Sequence, residues 1–173
     1  MKAVRFLAVL LAACLVATSC REQPAAPTAP PPQADLIGSL LRPVGLLKCS
    51  ALPAASDTET IGISGGTLTA GPHTLVIPSG ALKQPTKITM SIRTDRGEVN
   101  AVHFEPEGLQ FERSAALTMS YANCDLLGRV VPKRIAYTGD ALDIISYLLS
   151  FDNLFGKRVT GKLDHFSDYV VAW

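Results

Sequence analysis

The sequence lacks an excess of charge of either sign, and it lacks a long apolar run. Its 173 residues carry 16 basic and 15 acidic side chains, a formal net charge of +1 at pH 7. This near balance excludes a nucleic-acid binder of the usual kind, which shows a strongly basic field. No apolar stretch reaches the roughly 20 residues that span a bilayer, which excludes a polytopic membrane protein. With four cysteines, the chain is not a disulfide-dense miniprotein either.

The sequence also lacks common signatures of cofactor and metal sites. It contains no phosphate-binding loop and no paired-carboxylate signature. No CxxC or HxxxH spacing is present, and the three histidines (His73, His103 and His165) are far apart in the chain. These absences predict a protein with no cofactor, no metal and no small-molecule substrate.

The first 19 residues have the pattern of an export signal. Lys2 and Arg5 form a short basic region, and an apolar run from Phe6 to Ala17 follows, interrupted only by Cys14. The run is too short for a membrane span and of the right length for a signal peptide. The sequence therefore predicts that residues 1–19 are removed on export.

Small residues before Cys20 resemble the lipobox of bacterial lipoproteins: Ala17, Thr18 and Ser19 precede the cysteine. The resemblance implies cleavage before Cys20, acylation of its thiol and anchoring of the chain to the membrane of the cell envelope. Leu11-Ala12-Ala13 before Cys14 matches the usual letters better, but cleavage there would leave an apolar start to the segment that follows. We therefore assign the lipid to Cys20; an ordinary secretory signal is the alternative.

A Pro/Ala-rich segment follows the predicted lipid site. Residues 24–34 read PAAPTAPPPQA and hold five of the twelve prolines. With almost no large apolar side chain, this segment cannot offset the entropy cost of folding. We expect residues 20–34 to form a disordered, extended tether.

Two cysteines remain for the domain itself, Cys49 and Cys124. An even pair in an exported chain predicts a disulfide. The alternatives are two buried free thiols or, less in keeping with the spacing, a zinc site with two cysteine ligands.

From about residue 60 onward, the chain has the pattern of an all-β domain. Short apolar runs recur between turn signals such as Gly65-Gly66 and Gly71-Pro72. Ile88, Met90 and Ile92 alternate with polar residues, as Leu117 and Met119 do, which is typical of half-buried antiparallel strands. The pattern predicts an antiparallel β-sandwich over residues 60–173. The strands are expected at 61–64, 67–70, 73–78, 86–94, 101–106, 116–122, 133–138, 142–149 and 158–172.

Two segments are ambiguous. Residues 35–48 have leucines at helical spacing before Pro43, and we expect a short helical piece within an N-terminal extension, 35–59, that packs on the domain. Contact with a membrane surface is the alternative for this segment. Residues 141–155 fit a helix or a strand by period, and their place between β-like segments favours strand, with a turn at Asp152-Asn153.

Several spaced pieces resemble the ZU-five domain of zonula occludens proteins, Unc-five netrin receptors and ankyrins. Gly65-Gly66-Thr67-Leu68, then Ile77-Pro78-Ser79-Gly80-Ala81-Leu82, then Thr86-Lys87-Ile88 follow the family's order, and Phe104 to Tyr121 is similar to its later strands. The resemblance spans roughly residues 60–173. It implies an antiparallel β-sandwich that serves as an interaction module, with a partner that differs from protein to protein.

One tripeptide of this resemblance carries chemistry. His165-Phe166-Ser167 reproduces a motif at which autoproteolytic members of the family cut their own chain between Phe and Ser. The resemblance implies attack by Ser167 on the Phe166 carbonyl, an N-to-O acyl shift, and hydrolysis of the ester, with His165 as general base. A phase slip in the apolar pattern between residues 163 and 166 is typical of a β-bulge at this place.

Four interpretations stay open from the sequence. The first is an envelope-anchored lipoprotein that binds an unidentified protein or envelope partner through its sandwich; the second is single-turnover self-cleavage between Phe166 and Ser167. In the third, the protein is a passive envelope component and His165, Phe166 and Ser167 are ordinary strand residues. The fourth is a hydrolase that uses Ser167, His165 and an aspartate such as Asp168. An exposed apolar patch larger than a few hundred Å² would favour the first over the third.

Overall fold

The computed structural model describes residues 45–126 and 131–173. The predicted signal peptide (1–19), the tether (20–34), both N-terminal cysteines (Cys14 and Cys20) and the first part of the extension lie outside the described residues.

The described residues form eleven β-strands and one short 3-10 turn. No α-helix occurs among them, and none of their helical segments is long and apolar enough to cross a bilayer. The 3-10 turn covers Thr94–Arg96. The strands are β1 (Ser56–Ile61), β2 (Gly66–Ala70), β3 (His73–Ile77), β4 (Thr86–Ile92), β5 (Ala101–Glu105), β6 (Gln110–Ser120), β7 (Arg134–Thr138), β8 (Ile144–Tyr147), β9 (Ser150–Asn153), β10 (Arg158–His165) and β11 (Asp168–Ala172).

The strands form two antiparallel sheets that share one core. The first sheet has the order β1-β4-β5-β11-β7-β8, and the second has the order β2-β3-β6-β10-β9. Buried residues of both sheets belong to a single hydrophobic cluster, as expected for two packed β layers. The predicted all-β antiparallel sandwich is therefore confirmed.

Alternating burial explains why these residues form strands. In β4, the side chains of Ile88, Met90 and Ile92 are buried, whereas Lys87 is exposed. Apolar residues at every second position put one face of a strand into the core, which gives a half-buried antiparallel strand. Within 141–155 the structure has strands rather than a helix, which confirms the preference for strand, but in place of the expected strand 142–149 there are two short strands, β8 and β9, in different sheets.

Several strand boundaries differ from the sequence interpretation. The strand expected at 116–122 is β6, which begins at Gln110. The turn after β9 lies at 154–157, because Asp152 and Asn153 are still part of β9. The first strand begins at Ser56, within the segment assigned to the N-terminal extension. The expected single strand 158–172 is two strands: β10 belongs to the second sheet and β11 to the first. The alternation is interrupted because the chain changes sheet at Phe166–Ser167, which we call the crossover segment.

A disulfide fastens the start of the described chain to the domain. Cys49 and Cys124 are joined with an S–S distance of 2.01 Å, which confirms the predicted pairing and is compatible with an exported domain. Four residues earlier, the Gly45 carbonyl accepts a 2.8 Å hydrogen bond from the Trp173 amide, and Leu46 forms a β-bridge with Ala172. The described start of the chain therefore lies along the end of β11.

Candidate functional site

The crossover segment holds the His165-Phe166-Ser167 motif. The Phe166 side chain is 1% exposed and stacks on Phe104 of β5, with ring centroids 4.7 Å apart. It also meets the ring of Phe111 edge-on at 5.0 Å. These aromatic contacts fix the backbone at the point where the chain leaves one sheet for the other.

The two backbone polar groups of Phe166 bond to the loop before β6. Its N–H donates to the Leu109 carbonyl at 2.9 Å, and its carbonyl accepts from the Gly108 N–H at 3.0 Å. A backbone N–H aimed at a carbonyl oxygen polarises that carbonyl and stabilises negative charge that develops on it. The carbonyl that self-cleavage would attack therefore has one oxyanion-type donor.

The predicted bend near residues 163–166 is present, but its cause is partly different. The pairing of β10 with β6 shifts between Leu163 and His165, which confirms an irregularity. Leu163 pairs with Ala115 and His165 with Gln110, so the extra residues belong to β6 rather than to β10. The remaining phase change is the step to the other sheet.

His165 lies beside the Phe166 carbonyl rather than on the Ser167 hydroxyl. Its Nδ1 is 3.4 Å from the Phe166 oxygen and 3.5 Å from the Tyr169 hydroxyl, which donates to the His165 carbonyl at 2.7 Å. In the part of the chain that the structure describes, no hydrogen bond joins the His165 ring to Ser167, whose side chain is buried. The ring position therefore suits a donor to the carbonyl oxygen better than a base for Ser167.

A cleft of about 310 Å³ opens beside His165. Its lining includes residues of both sheets: Tyr137, Ser146, Lys162, Asp164 and Tyr169. Burial raises the pKa of the Tyr169 hydroxyl well above its usual range, so this group stays protonated and can donate. The cleft gives water a route to the histidine at the crossover segment.

The Asp168 carboxylate is hydrogen-bonded to residues other than His165. Its carboxylate accepts from His103 Nδ1 at 2.7 Å and from Arg93 Nη1 at 2.9 Å, and Arg96 Nη2 lies 3.3 Å away. These partners come from β5 and from the turn around the 3-10 segment, because alternate side chains of β11 point to opposite faces of the sheet. Hydrogen bonds among the described residues therefore do not join Asp168 to His165 as a hydrolase triad would require.

A second serine, Ser64, lies in a sequence that matches a hydrolase motif, but its surroundings do not have the fold that the motif requires. Residues 62–66 read G-I-S-G-G, which matches G-x-S-x-G around Ser64. The nucleophile elbow needs a strand, a sharp turn and a helix, whereas this segment joins β1 to β2 of two sheets. The glycines have a structural reason: Gly65 has φ +77°, and a Cβ there would collide with the Ile77 carbonyl.

An exposed apolar surface lies on β9 and the turn that follows it. Phe155 is fully exposed at 101%, and Phe151 and Leu149 are 76% and 75% exposed. Leu154 adds a fourth apolar side chain next to them. We call Leu149, Phe151, Leu154 and Phe155 the hairpin surface. Large exposed apolar side chains that lie within a few residues of each other are typical of contact sites.

Sequence reasoning did not single out the hairpin surface. The segment 141–155 holds more large apolar side chains than one buried face of two short strands can use, and that surplus was the available signal. The opposite edge of the sandwich differs: in β1, residues Ser56, Thr58, Glu59 and Thr60 are exposed and polar. Polar, charged edges are the usual protection of a sheet against unwanted pairing.

No cluster of three or more His, Cys, Asp or Glu side chains within residues 45–126 and 131–173 could hold a metal ion. No protein-family model matches the chain, and no curated protein matches it. The ZU-five and lipoprotein assignments therefore remain predictions from the motif residues.

Proposed function

We propose that this chain is an exported, envelope-anchored interaction domain whose hairpin surface contacts the partner. The proposal combines the predicted lipid at Cys20 with the resemblance to ZU-five interaction modules. The observation that carries it is the exposure of Leu149, Phe151 and Phe155 on one hairpin. We propose no small-molecule catalysis and no cofactor.

The size of the apolar contribution supports binding at this surface. Burying one Phe or Leu side chain contributes about 1.5–3 kcal/mol. Three such side chains give several kcal/mol before the cost of association is subtracted, which suits a contact that tethering to an envelope makes local. A passive envelope protein would gain nothing from leaving them in water.

Hydroxyl-radical footprinting of the full chain tests this proposal. Oxidation of Phe151 and Phe155 would be measured by mass spectrometry in intact cells that make the protein and again in the purified chain. Ile63 is a matched internal control, because it is exposed to 67% in the turn between β1 and β2. We expect at least threefold protection of the two phenylalanines in cells, with no change at Ile63. Equal oxidation in both samples would favour the passive interpretation.

Self-cleavage is the second candidate, and the bond from the Gly108 N–H to the Phe166 carbonyl favours it. In this scheme, Ser167 Oγ attacks the Phe166 carbonyl carbon, and its proton passes to a water molecule admitted through the cleft, which returns it to the Ser167 nitrogen. Gly108 N–H and the His165 ring stabilise the oxyanion. Collapse breaks the C–N bond and protonates the Ser167 nitrogen, and water admitted through the cleft hydrolyses the resulting ester.

The intact mass of the chain under denaturing conditions tests the second candidate, beside Ser167→Ala. Self-cleavage predicts separate masses for the segment that ends at Phe166 and the segment that starts at Ser167, in wild type only. A single full-length mass after long incubation would make the crossover segment a structural feature only.

A further inference from the structure

The tip of the hairpin surface projects from the domain, because the Phe155 side chain is fully exposed, whereas Leu149 at the other end borders the cleft beside His165. Phe155 stands at the tip of the turn between β9 and β10, and Phe151 and Leu149 follow along the outer side of β9. A projecting aromatic group suits insertion into a deformable phase, because no matching pocket is required.

The backbone of the turn is held in place by hydrogen bonds. Asn153 Oδ1 accepts from the Gly156 N–H at 2.9 Å, and the Leu154 carbonyl accepts from the Lys157 N–H at 3.3 Å. The Lys157 carbonyl in turn accepts from the Tyr121 N–H at 2.9 Å. Phe155 is thus presented by an ordered backbone, so its burial loses little further chain entropy.

Cations accompany the apolar tip. Lys157 and Arg158 follow it directly, and Lys162 bonds through its N–H to the Leu149 carbonyl, which places it beside that end of β9. Within the described residues, none of these three side chains takes part in an ion pair. They are available to an anionic partner.

The hairpin has two acidic residues: Asp164 lies at the far end of β10, where it accepts from Ser114, and Asp152 is turned away from the tip. Asp152 accepts from the Tyr121 hydroxyl at 2.6 Å and from the Lys133 N–H at 2.8 Å. Its charge is used within the domain, and the three cations outnumber the one exposed carboxylate, Asp164, so the net charge displayed by the hairpin is positive. Apolar tip and basic flank together match the boundary between the acyl region and anionic headgroups of a bilayer.

We infer that the hairpin surface inserts into the headgroup boundary of an anionic lipid bilayer. This inference rests on the proposed function, because it names the partner of the same surface. The predicted lipid at Cys20 would bring the hairpin within reach of such a membrane through the tether. Lipid and hairpin would then form the two signals that stable membrane attachment needs.

Photo-crosslinking tests the inference with the full lipidated chain in vesicles of phosphatidylethanolamine and phosphatidylglycerol. A benzophenone amino acid would be placed by Phe155→benzoylphenylalanine, and Ile63→benzoylphenylalanine is the matched control on the opposite edge. We expect lipid adducts at position 155 that exceed those at position 63 at least fivefold. Equal adducts at the two positions would overturn the inference.

The contribution of charge is tested in the same vesicles. Lys157→Glu and Arg158→Glu each replace a cation near the surface with an anion, and we expect each to lower the lipid adduct at position 155 about fivefold. Vesicles of phosphatidylcholine alone should give a similar reduction. An adduct yield that ignores both changes would contradict an anionic membrane as the partner.

The same crosslinker in cells separates this inference from the proposed function. Adducts to lipid at position 155 support both. Adducts to a protein in place of lipid would overturn the lipid inference while leaving the interaction domain in place. Absence of footprinting protection together with absence of any adduct would overturn the proposed function itself.

Discussion

The backbone N–H of Gly108 donates a 3.0 Å hydrogen bond to the carbonyl oxygen of Phe166. This bond ties the loop before β6 to the point where the chain passes from the second sheet to the first. It polarises the one carbonyl that the His165-Phe166-Ser167 motif would require to be attacked. The same bond is also explained by structure alone, since a buried carbonyl needs a donor.

Cleavage of the peptide bond between Phe166 and Ser167 should not release a fragment from the folded protein. β11 lies between β5 and β7 in the first sheet, and all five of its residues are buried. We expect native size-exclusion chromatography of a cleaved chain to give one peak that contains both fragments. Denaturing mass spectrometry of that peak should separate them. Early loss of the β11 fragment from the native peak would contradict this central placement.

Stability should fall in mild acid because of His73. This side chain is fully buried, and burial lowers its pKa from 6.5 to about 4. Below pH 6.5 His73 is protonated in the unfolded chain, whereas in the folded chain it stays neutral down to about pH 4. Acid therefore favours unfolding between pH 6.5 and pH 4. We expect a loss of about 3 kcal/mol in the free energy of unfolding between pH 7 and pH 4. Urea unfolding across this pH range measures it.

The control for His73 is a variant that keeps an acceptor but cannot titrate. His73→Asn retains an oxygen for the Ser120 N–H, which now donates to His73 Nδ1 at 3.1 Å. The variant should lose most of the acid sensitivity, although it is less stable at neutral pH. An unchanged pH profile in His73→Asn would assign the effect to other groups.

Removing the disulfide should destabilise the domain strongly. Cys49 and Cys124 are 75 positions apart, and a closed loop of this length contributes about 4 kcal/mol by the chain-entropy relation. We expect urea unfolding in a thiol reductant, or of the double variant Cys49→Ser with Cys124→Ser, to show a loss of this order. The double variant should not respond to the reductant. A reductant effect in that variant would show that the loss has another origin.

Asp168 should be more important to stability than its neighbour Asp164. Its carboxylate is bound by Arg93, Arg96 and His103, and its side chain is 12% exposed. In the described part of the chain, Asp168→Asn leaves Arg93 and Arg96 with only the exposed carboxylates of Asp95 and Asp140, and we expect a loss of about 3 kcal/mol in urea unfolding.

The comparison for Asp168 is Asp164→Asn, which removes an exposed carboxylate whose one hydrogen bond within residues 45–126 and 131–173 comes from Ser114. This change should cost less than about 1 kcal/mol. Equal effects of the two substitutions would mean that the charge network around Asp168 contributes little.

The sequence predicted those parts of the fold that depend on local pattern. Alternation at Ile88 and Met90 is visible in the letters because burial on one face of a strand repeats every second residue. The change of sheet at Phe166–Ser167 was not predicted, because an apolar strand has the same sequence pattern in either sheet. The pairing of His103 with Asp168 was missed because it joins residues 65 positions apart, and local spacing carries no signal for it.

The residues of the candidate site were identified from the sequence, but their relative positions were predicted only in part. His165 and Ser167 are two residues apart, yet the described chain does not join them by a hydrogen bond, because the backbone turns from one sheet to the other between them. The exposure of Phe151 was not predicted from the sequence for a related reason. β9 is an edge strand, and whether a strand has a neighbour on its far side depends on distant parts of the chain.

The attachment of Gly45 beside Trp173 and the disulfide four residues later have a mechanical consequence. A pull on the chain ahead of Gly45 is transmitted by Cys49 to Cys124, across a covalent bond, before it can reach β1. The strands between these cysteines are thereby shielded from tension. A domain held by its N-terminal end could thus sustain drag at a surface while its sandwich stays folded.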